Sequence, residues 1–160
     1  MGRNENVAVF EDTANRCKTD PKLNASLKKS IQNQKLYPED ALLPDISLAR
    51  YDIPAAIRVS GRRTFEAAAA YRGTRTAVHN FASASNPGGG VERGANAQEE
   101  CLCRCSGLYF CLNTKAMLDG FYTPHRNAHD PLHNDDIIYT PEVTVFKTDT
   151  ADPEIMPEAD

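Results

Sequence analysis

Apolar residues at the start of the chain recur at helical spacing. Val7, Phe10, Ala14 and Cys17 fall on one face, which predicts a helix over residues 3–17. Asp20-Pro21 breaks it, and Asn24 is placed to cap a second, more polar helix through Asn33. Leu36-Tyr37-Pro38 ends that pattern. Residues 38–54 hold three prolines among scattered apolar positions, and Ile46, Leu48 and Tyr51 fit no single period, so a loop with short strand pieces is expected. The period then shortens to two at Ile57-Arg58-Val59, a strand candidate, and Gly61-Arg62 forms a turn. Thr64 is the expected N-cap of the helix FEAAAAYR, whose alanines favour helix and allow close packing on a sheet. Gly73 stops it, and Ala77 to Ala82 reads as an apolar strand. Strand, helix and strand in this order suggest a parallel α/β arrangement.

From Gln98 to Leu118 the pattern is helical again, interrupted at Ser106-Gly107. Residues 121–136, rich in His, Asn, Asp and Pro, read as a long surface loop. Ile137-Ile138-Tyr139 and Val143 to Phe146 are two strand candidates around Thr140-Pro141. Residues 148–160 are acidic and proline-containing, and a frayed tail is expected there.

Composition narrows the function classes. The 160 residues suit one domain with a proper core, at 41% hydrophobic and 25% charged. No apolar run approaches the ~18 residues of a membrane helix. The N-terminal twenty residues show no apolar signal-peptide core, and Asn6 stands where a myristoylation signal wants Ser or Thr. A net charge of −4 disfavours non-specific nucleic-acid binding, so an anionic ligand would need a local pocket. Five cysteines, an odd number, argue for a reducing, cytoplasmic setting rather than a disulfide framework.

Two clusters resemble metal sites and are set aside. Cys101, Cys103, Cys105 and Cys111 lie on a predicted helix, where residues two apart diverge by about 200°; they are expected to be buried or half-buried helix cysteines. His125, His129 and His133 sit among Pro and Asp and are expected to be loop histidines. No metal and no cofactor is expected.

The chemistry concentrates in NFASASNPGGGVERGANAQEE, residues 80–100. Gly88, Gly89 and Gly90 follow an apolar strand and precede a helix, the position where open α/β sheets bind ligands. Without Cβ atoms such a loop can take positive φ, and its successive N–H groups can form an anion-binding nest; a flexible turn is the simpler alternative. No Gly-Lys-Ser/Thr and no GxGxxG is present, so P-loop and dinucleotide fingerprints are absent. Glu99 and Glu100 open the next helix. They could be there only to favour the helix N-terminus. Adjacent helical residues point about 100° apart, so the two cannot straddle one glycosidic bond. In a glycosidase one glutamate would carry the proton work.

Asn86-Pro-Gly-Gly-Gly followed after seven residues by Gln98-Glu99-Glu100 resembles the signature of poly(ADP-ribose) glycohydrolases of the microbial, bacterial type. The likeness spans residues 57–146 and is strongest over 80–109. It implies a macrodomain-like three-layer α/β/α fold with a mixed sheet (residues 55–147), preceded by a helical extension (1–54) and followed by an acidic tail (148–160). It also implies hydrolysis of ribose–ribose O-glycosidic bonds in poly(ADP-ribose), or in polymer carried on an ADP-ribosylated protein. By the resemblance Glu100 is the general acid/base and Glu99 its neighbour on the substrate ribose. Gly88, Gly89 and Gly90 line the diphosphate and ribose, and Asn86, Val91 and Gln98 are further substrate-binding positions. After Glu100 only the isolated Gly107 and Gly120 remain, so no second glycine-rich loop follows. The chain is thus expected to correspond to the N-terminal portion of a family member, with an uncovered sheet edge favouring self-association. Two alternatives stand beside hydrolysis: a module that binds ADP-ribose without cleaving it, and an inactive fragment.

Overall fold

The computed structural model describes residues 2–42, 45, 51–157 and 159; Ile46 and Leu48 lie outside them. The first helix, α1 (Arg3–Thr19), forms as expected and buries Asn6, Phe10, Thr13 and Cys17 along one stripe. The second, α2 (Pro21–Asn33), starts three residues before the expected Asn24 cap. Asp20 caps it instead, its carboxylate accepting from Lys22 N at 2.8 Å and Leu23 N at 3.2 Å. Pro21 suits the first helical position, where no N–H is needed, so Asp-Pro starts one helix as it ends another.

A short strand unforeseen in the sequence, β1 (Lys35–Tyr37), pairs antiparallel with β2 (Ile137–Tyr139), Leu36 opposite Ile138. The remaining helices are α3 (Thr64–Ala68, extended by a 3-10 turn to Tyr71), α4 (Gln98–Cys105), α5 (Leu108–Leu112), α6 (Lys115–Met117) and α7 (Thr123–Ala128). A π-helical stretch, Leu118–Tyr122, joins the last two. The architecture is α/β, with helices around one two-stranded ribbon.

Several expectations fail, some for nonlocal and some for local reasons. Ile57–Val59 and Ala77–Ala82 form no ladder, so the parallel strand–helix–strand unit is absent among the described residues. A strand needs a partner, and none pairs with them among the described residues. Val143–Phe146 makes one isolated bridge, Val145 to Ser106, instead of a strand. Helix α3 begins at Thr64 itself, with Arg63 in the cap position. Residues 123–128 are helical because Pro124 falls in a first turn, where it breaks no bond. Nor is the tail frayed. Thr148 N–H donates to Glu154 O at 2.8 Å, Met156 N–H to Phe146 O at 2.9 Å, and buried Asp149 accepts from Phe65 N at 2.9 Å. Among the described residues no helix is long and apolar enough to cross a membrane.

The core joins Phe10, Val91, Leu102, Cys103, Leu108, Tyr109, Leu112, Met117, Phe121 and Tyr122. Phe10 meets Tyr109 edge-on, ring centroids 4.9 Å apart. The glycine loop and α4 are seated on this core from the α1 side.

Candidate active site

Helix α4 delivers its first three side chains to three different parts of the chain. Gln98 reaches back to the preceding apolar segment: Oε1 accepts from Phe81 N at 2.9 Å, and Nε2 donates to the His79 carbonyl at 2.8 Å and Thr64 Oγ1 at 3.2 Å. Glu99, 3% exposed, accepts from Ser83 N at 2.8 Å and from Asn80 Nδ2 at 3.3 Å. Burial pushes its carboxyl above the ordinary carboxylate range, against the lowering pull of the Ser83 and Asn80 donors. Glu100 faces the glycines. Its Oε1 accepts from Gly90 N at 2.8 Å and its Oε2 from Ala97 N at 3.0 Å, the latter closing the first turn of α4.

The three glycines differ in what they need. Gly88 and Gly89 have φ of 65° and 60°, in the left-handed region, while Gly90 does not. At Gly89 space as well as φ forbids a side chain: a Cβ there would lie 2.5 Å from Glu100 Oε1 and 3.2 Å from Glu99 Oε2. The loop therefore lies directly against both carboxylates. The N–H groups of Gly89, Gly90 and Val91 all turn inward, to Asn86 O, Glu100 and Gly88 O. The expected nest of free donors is not formed. The loop presents bare backbone instead: the Gly89 and Val91 amides close its own turns, and the Gly90 amide is held by Glu100.

The other expected positions divide. Asn86 is exposed at the loop entrance, its N–H on Ser83 Oγ at 3.1 Å. Val91, 1% exposed, points into the core and anchors the loop from beneath. The cysteines are unpaired; Cys103, Cys105 and Cys111 are buried as expected, and burial pushes the Cys105 and Cys111 thiols up to about 12. Among the described residues no group of three His, Cys, Asp or Glu is placed to hold a metal. His125 lies on α7 rather than in a loop, between the Phe121 carbonyl and Asn134.

Four supporting residues escape the sequence reading. Asn80 and Ser83 hold Glu99. Arg104, 2% exposed, donates to Ala95 O at 2.7 Å and Asn96 Oδ1 at 2.5 Å, fixing the spacer between the glycines and α4. Asn6 Nδ2 donates to Gly94 O at 3.0 Å. A Cβ at Gly94, whose φ is 73°, would lie 2.1 Å from Arg3 O, so α1 closes directly on the spacer. The legible signals were slight: a lone Asn in an apolar run and a lone Arg among helix cysteines.

The chain matches the family described as microbial-type PARG, catalytic domain, over residues 4–148. A search of curated proteins gave no match. Among solved structures it is similar to poly(ADP-ribose) glycohydrolase (PARG) from Thermomonospora curvata, with 31% identity and a TM-score of 0.81 over 98% of this chain and 61% of that one. The same enzyme bound to the inhibitor ADP-HPD gives 31% identity and a TM-score of 0.77, over 98% and 60%. PARG from Deinococcus radiodurans in complex with ADP-ribose gives 34% identity and a TM-score of 0.67, over 84% and 54%. The chain thus spans about three fifths of the T. curvata enzyme's length. The match over residues 4–148 shows that this chain belongs to the microbial-type poly(ADP-ribose) glycohydrolase family.

Proposed function

We propose that the chain takes part in hydrolysis of ribose–ribose O-glycosidic bonds in poly(ADP-ribose), with Glu100 as general acid and then general base. The observation that carries this reading is Glu100 Oε1 on Gly90 N–H against the side-chain-free Gly89, which sets a carboxylate directly beside bare backbone. Glu100 gives its proton to the leaving ribose oxygen as the glycosidic C–O bond breaks. The oxocarbenium-like sugar is stabilised by the ligand's own diphosphate and by Glu99. Water then adds, and the Glu100 carboxylate takes its proton back. Glu99, held by Ser83 and Asn80, orients the ribose; Gly88 to Gly90 give the diphosphate room, and Asn86 and Gln98 shape the entrance. Val91 contributes its backbone. The substrate is free polymer or polymer on a modified protein. The inhibitor and ADP-ribose complexes of the T. curvata and D. radiodurans enzymes support a ligand of this kind. A three-layer, macrodomain-like arrangement with a mixed sheet, residues 55–147 at its centre and 1–54 packed on it, is part of the same reading. So is a cytoplasmic setting, supported by five unpaired cysteines.

A second reading, binding of ADP-ribose without cleavage, is favoured by one feature: both Glu100 oxygens already accept main-chain N–H groups. Release of ADP-ribose from labelled polymer decides between them. Glu100→Gln is expected to lower turnover by about 100-fold or more, with ADP-ribose affinity by calorimetry nearly unchanged. Turnover that survives Glu100→Gln sinks the assignment; binding without turnover in the unaltered chain selects the second reading.

A further inference from the structure

A diphosphate laid along the glycines needs positive charge, and the loop's own amides are already used. Those of Gly89 and Val91 close its turns, and that of Gly90 is held by Glu100. Two carboxylates, Glu99 and Glu100, lie against Gly89, and the chain carries a net charge of −4. Both repel an anion. A cation within reach of the glycines is therefore required.

Two arginines near the loop are committed elsewhere. Arg104 is buried and donates to Ala95 O and Asn96 Oδ1. Arg63 donates to Cys101 Sγ at 3.4 Å and lies 3.9 Å from buried Asp149. Arg93 differs from both. It is exposed, and among the described residues its side chain has neither a hydrogen bond nor an ion pair. Glu92, its neighbour in sequence, interacts with the Tyr109 hydroxyl instead.

The glycine loop itself sets where Arg93 stands. Val91–Arg93 is a 3-10 turn, and the Arg93 N–H donates to Gly90 O at 3.0 Å. Gly94, in the left-handed region, ends the turn. The side chain then returns toward the glycines. A Cβ on Gly90 would lie 3.8 Å from Arg93 Nη2 and 3.7 Å from Glu100 Oε1. A guanidinium and the proposed acid thus converge on the same side-chain-free stretch of main chain.

We propose that Arg93 is a substrate-binding residue whose guanidinium takes a phosphate of the diphosphate lying along Gly88–Gly90. The proposal rests on the reading that the ligand is an ADP-ribose unit, and it does not depend on Glu100 being the acid. The guanidinium fork matches two phosphate oxygens, so it orients the diphosphate as well as offsetting the carboxylates. The contact is exposed, so salt screens it.

The test is calorimetry with ADP-ribose on the chain and three single variants. Arg93→Gln is expected to weaken binding about tenfold at about 0.1 M salt, with a smaller gap at about 1 M. Arg93→Lys keeps the charge without the fork and is expected to recover part of the loss. Lys22→Gln removes the same charge from the exposed side of α2 and is expected to bind as the unaltered chain does. None of the three is expected to move the unfolding midpoint, since the Arg93 hydrogen bond to Gly90 is main-chain. Unchanged affinity in Arg93→Gln, a loss that Lys22→Gln matches, a loss indifferent to salt, or a shifted midpoint would each overturn the proposal while leaving ADP-ribose as the ligand. An unaltered chain that binds no ADP-ribose would overturn it together with the proposed function.

Discussion

The two sides of the glutamate pair are built in opposite ways. Behind it, buried polar groups tie α1 to α4 and to the returning tail. Asn6 donates to Gly94 O, Thr13 Oγ1 to Arg104 O, and Lys147, 3% exposed, donates to Asp12, Val9 O and Thr13 Oγ1 at 2.8–2.9 Å. Phe10 closes the apolar part of the same face against Tyr109. In front, residues 77–82 leave apolar side chains in water, and Gln98 and Glu99 are what reach across to them among the described residues. A site needs its first carboxylates held firmly by the elements that carry them. Here that support comes from α1 and α4, while the segment before the glycines contributes position without packing. Rigidity and exposure therefore meet at Asn80 and Ser83.

The comparison can be broken most sharply from behind. Phe10→Ala empties a buried aromatic site between α1 and Tyr109. A loss of about 3–5 kcal/mol is expected, read as the shift of the urea midpoint, and the loss should extend to the glycine loop, since α1 closes on Gly94. A smaller loss would mean that α1 is not the support described.

A middle-sized effect is expected at Lys147. Lys147→Met keeps the aliphatic stem and removes three donated hydrogen bonds, for about 1–3 kcal/mol. Its pH dependence has a definite sign. Burial alone would raise the Asp12 carboxyl, but Arg16 and Lys147 together hold it below its usual value of 3.8. A carboxylate with a depressed folded pKa stabilises above its unfolded value, and that contribution is lost as pH falls through the folded one. The gap between wild type and Lys147→Met should therefore be widest near neutral pH and narrow below about pH 4. A gap that widened on acidification would remove Asp12 from the account.

The same contrast explains what was legible in the sequence. Helix α1 was read correctly because its periodicity is local, and so was the break at Ser106-Gly107 that separates α4 from α5. The strands at 57–59 and 77–82 carried the right side chains but found no partner among the described residues, and a strand pattern does not name its partner. The tail was misjudged because Asp149 is used to cap α3, more than eighty residues earlier in the chain. In the site, Gly88 to Gly90 and Gln98 to Glu100 were legible as two motifs at a fixed spacing, and geometry brought them together. Asn80, Ser83 and Arg104 were not, since each acts through a side-chain or main-chain contact that no spacing rule marks.

The smallest effect sharpens the comparison from the front. Phe81 and Phe10 are the same residue type in the same chain, yet one is 71% exposed and the other 6%. Stability follows the apolar area removed from water rather than residue identity. Phe81→Ser discards side-chain area that the isolated chain scarcely buries and leaves its N–H on Gln98 untouched. The change in unfolding free energy is expected to stay within about 0.5 kcal/mol, far below that of Phe10→Ala. A loss of comparable size at both positions would mean that residues 77–82 pack into the folded chain after all, and the contrast between the two sides of the glutamate pair would lose its basis.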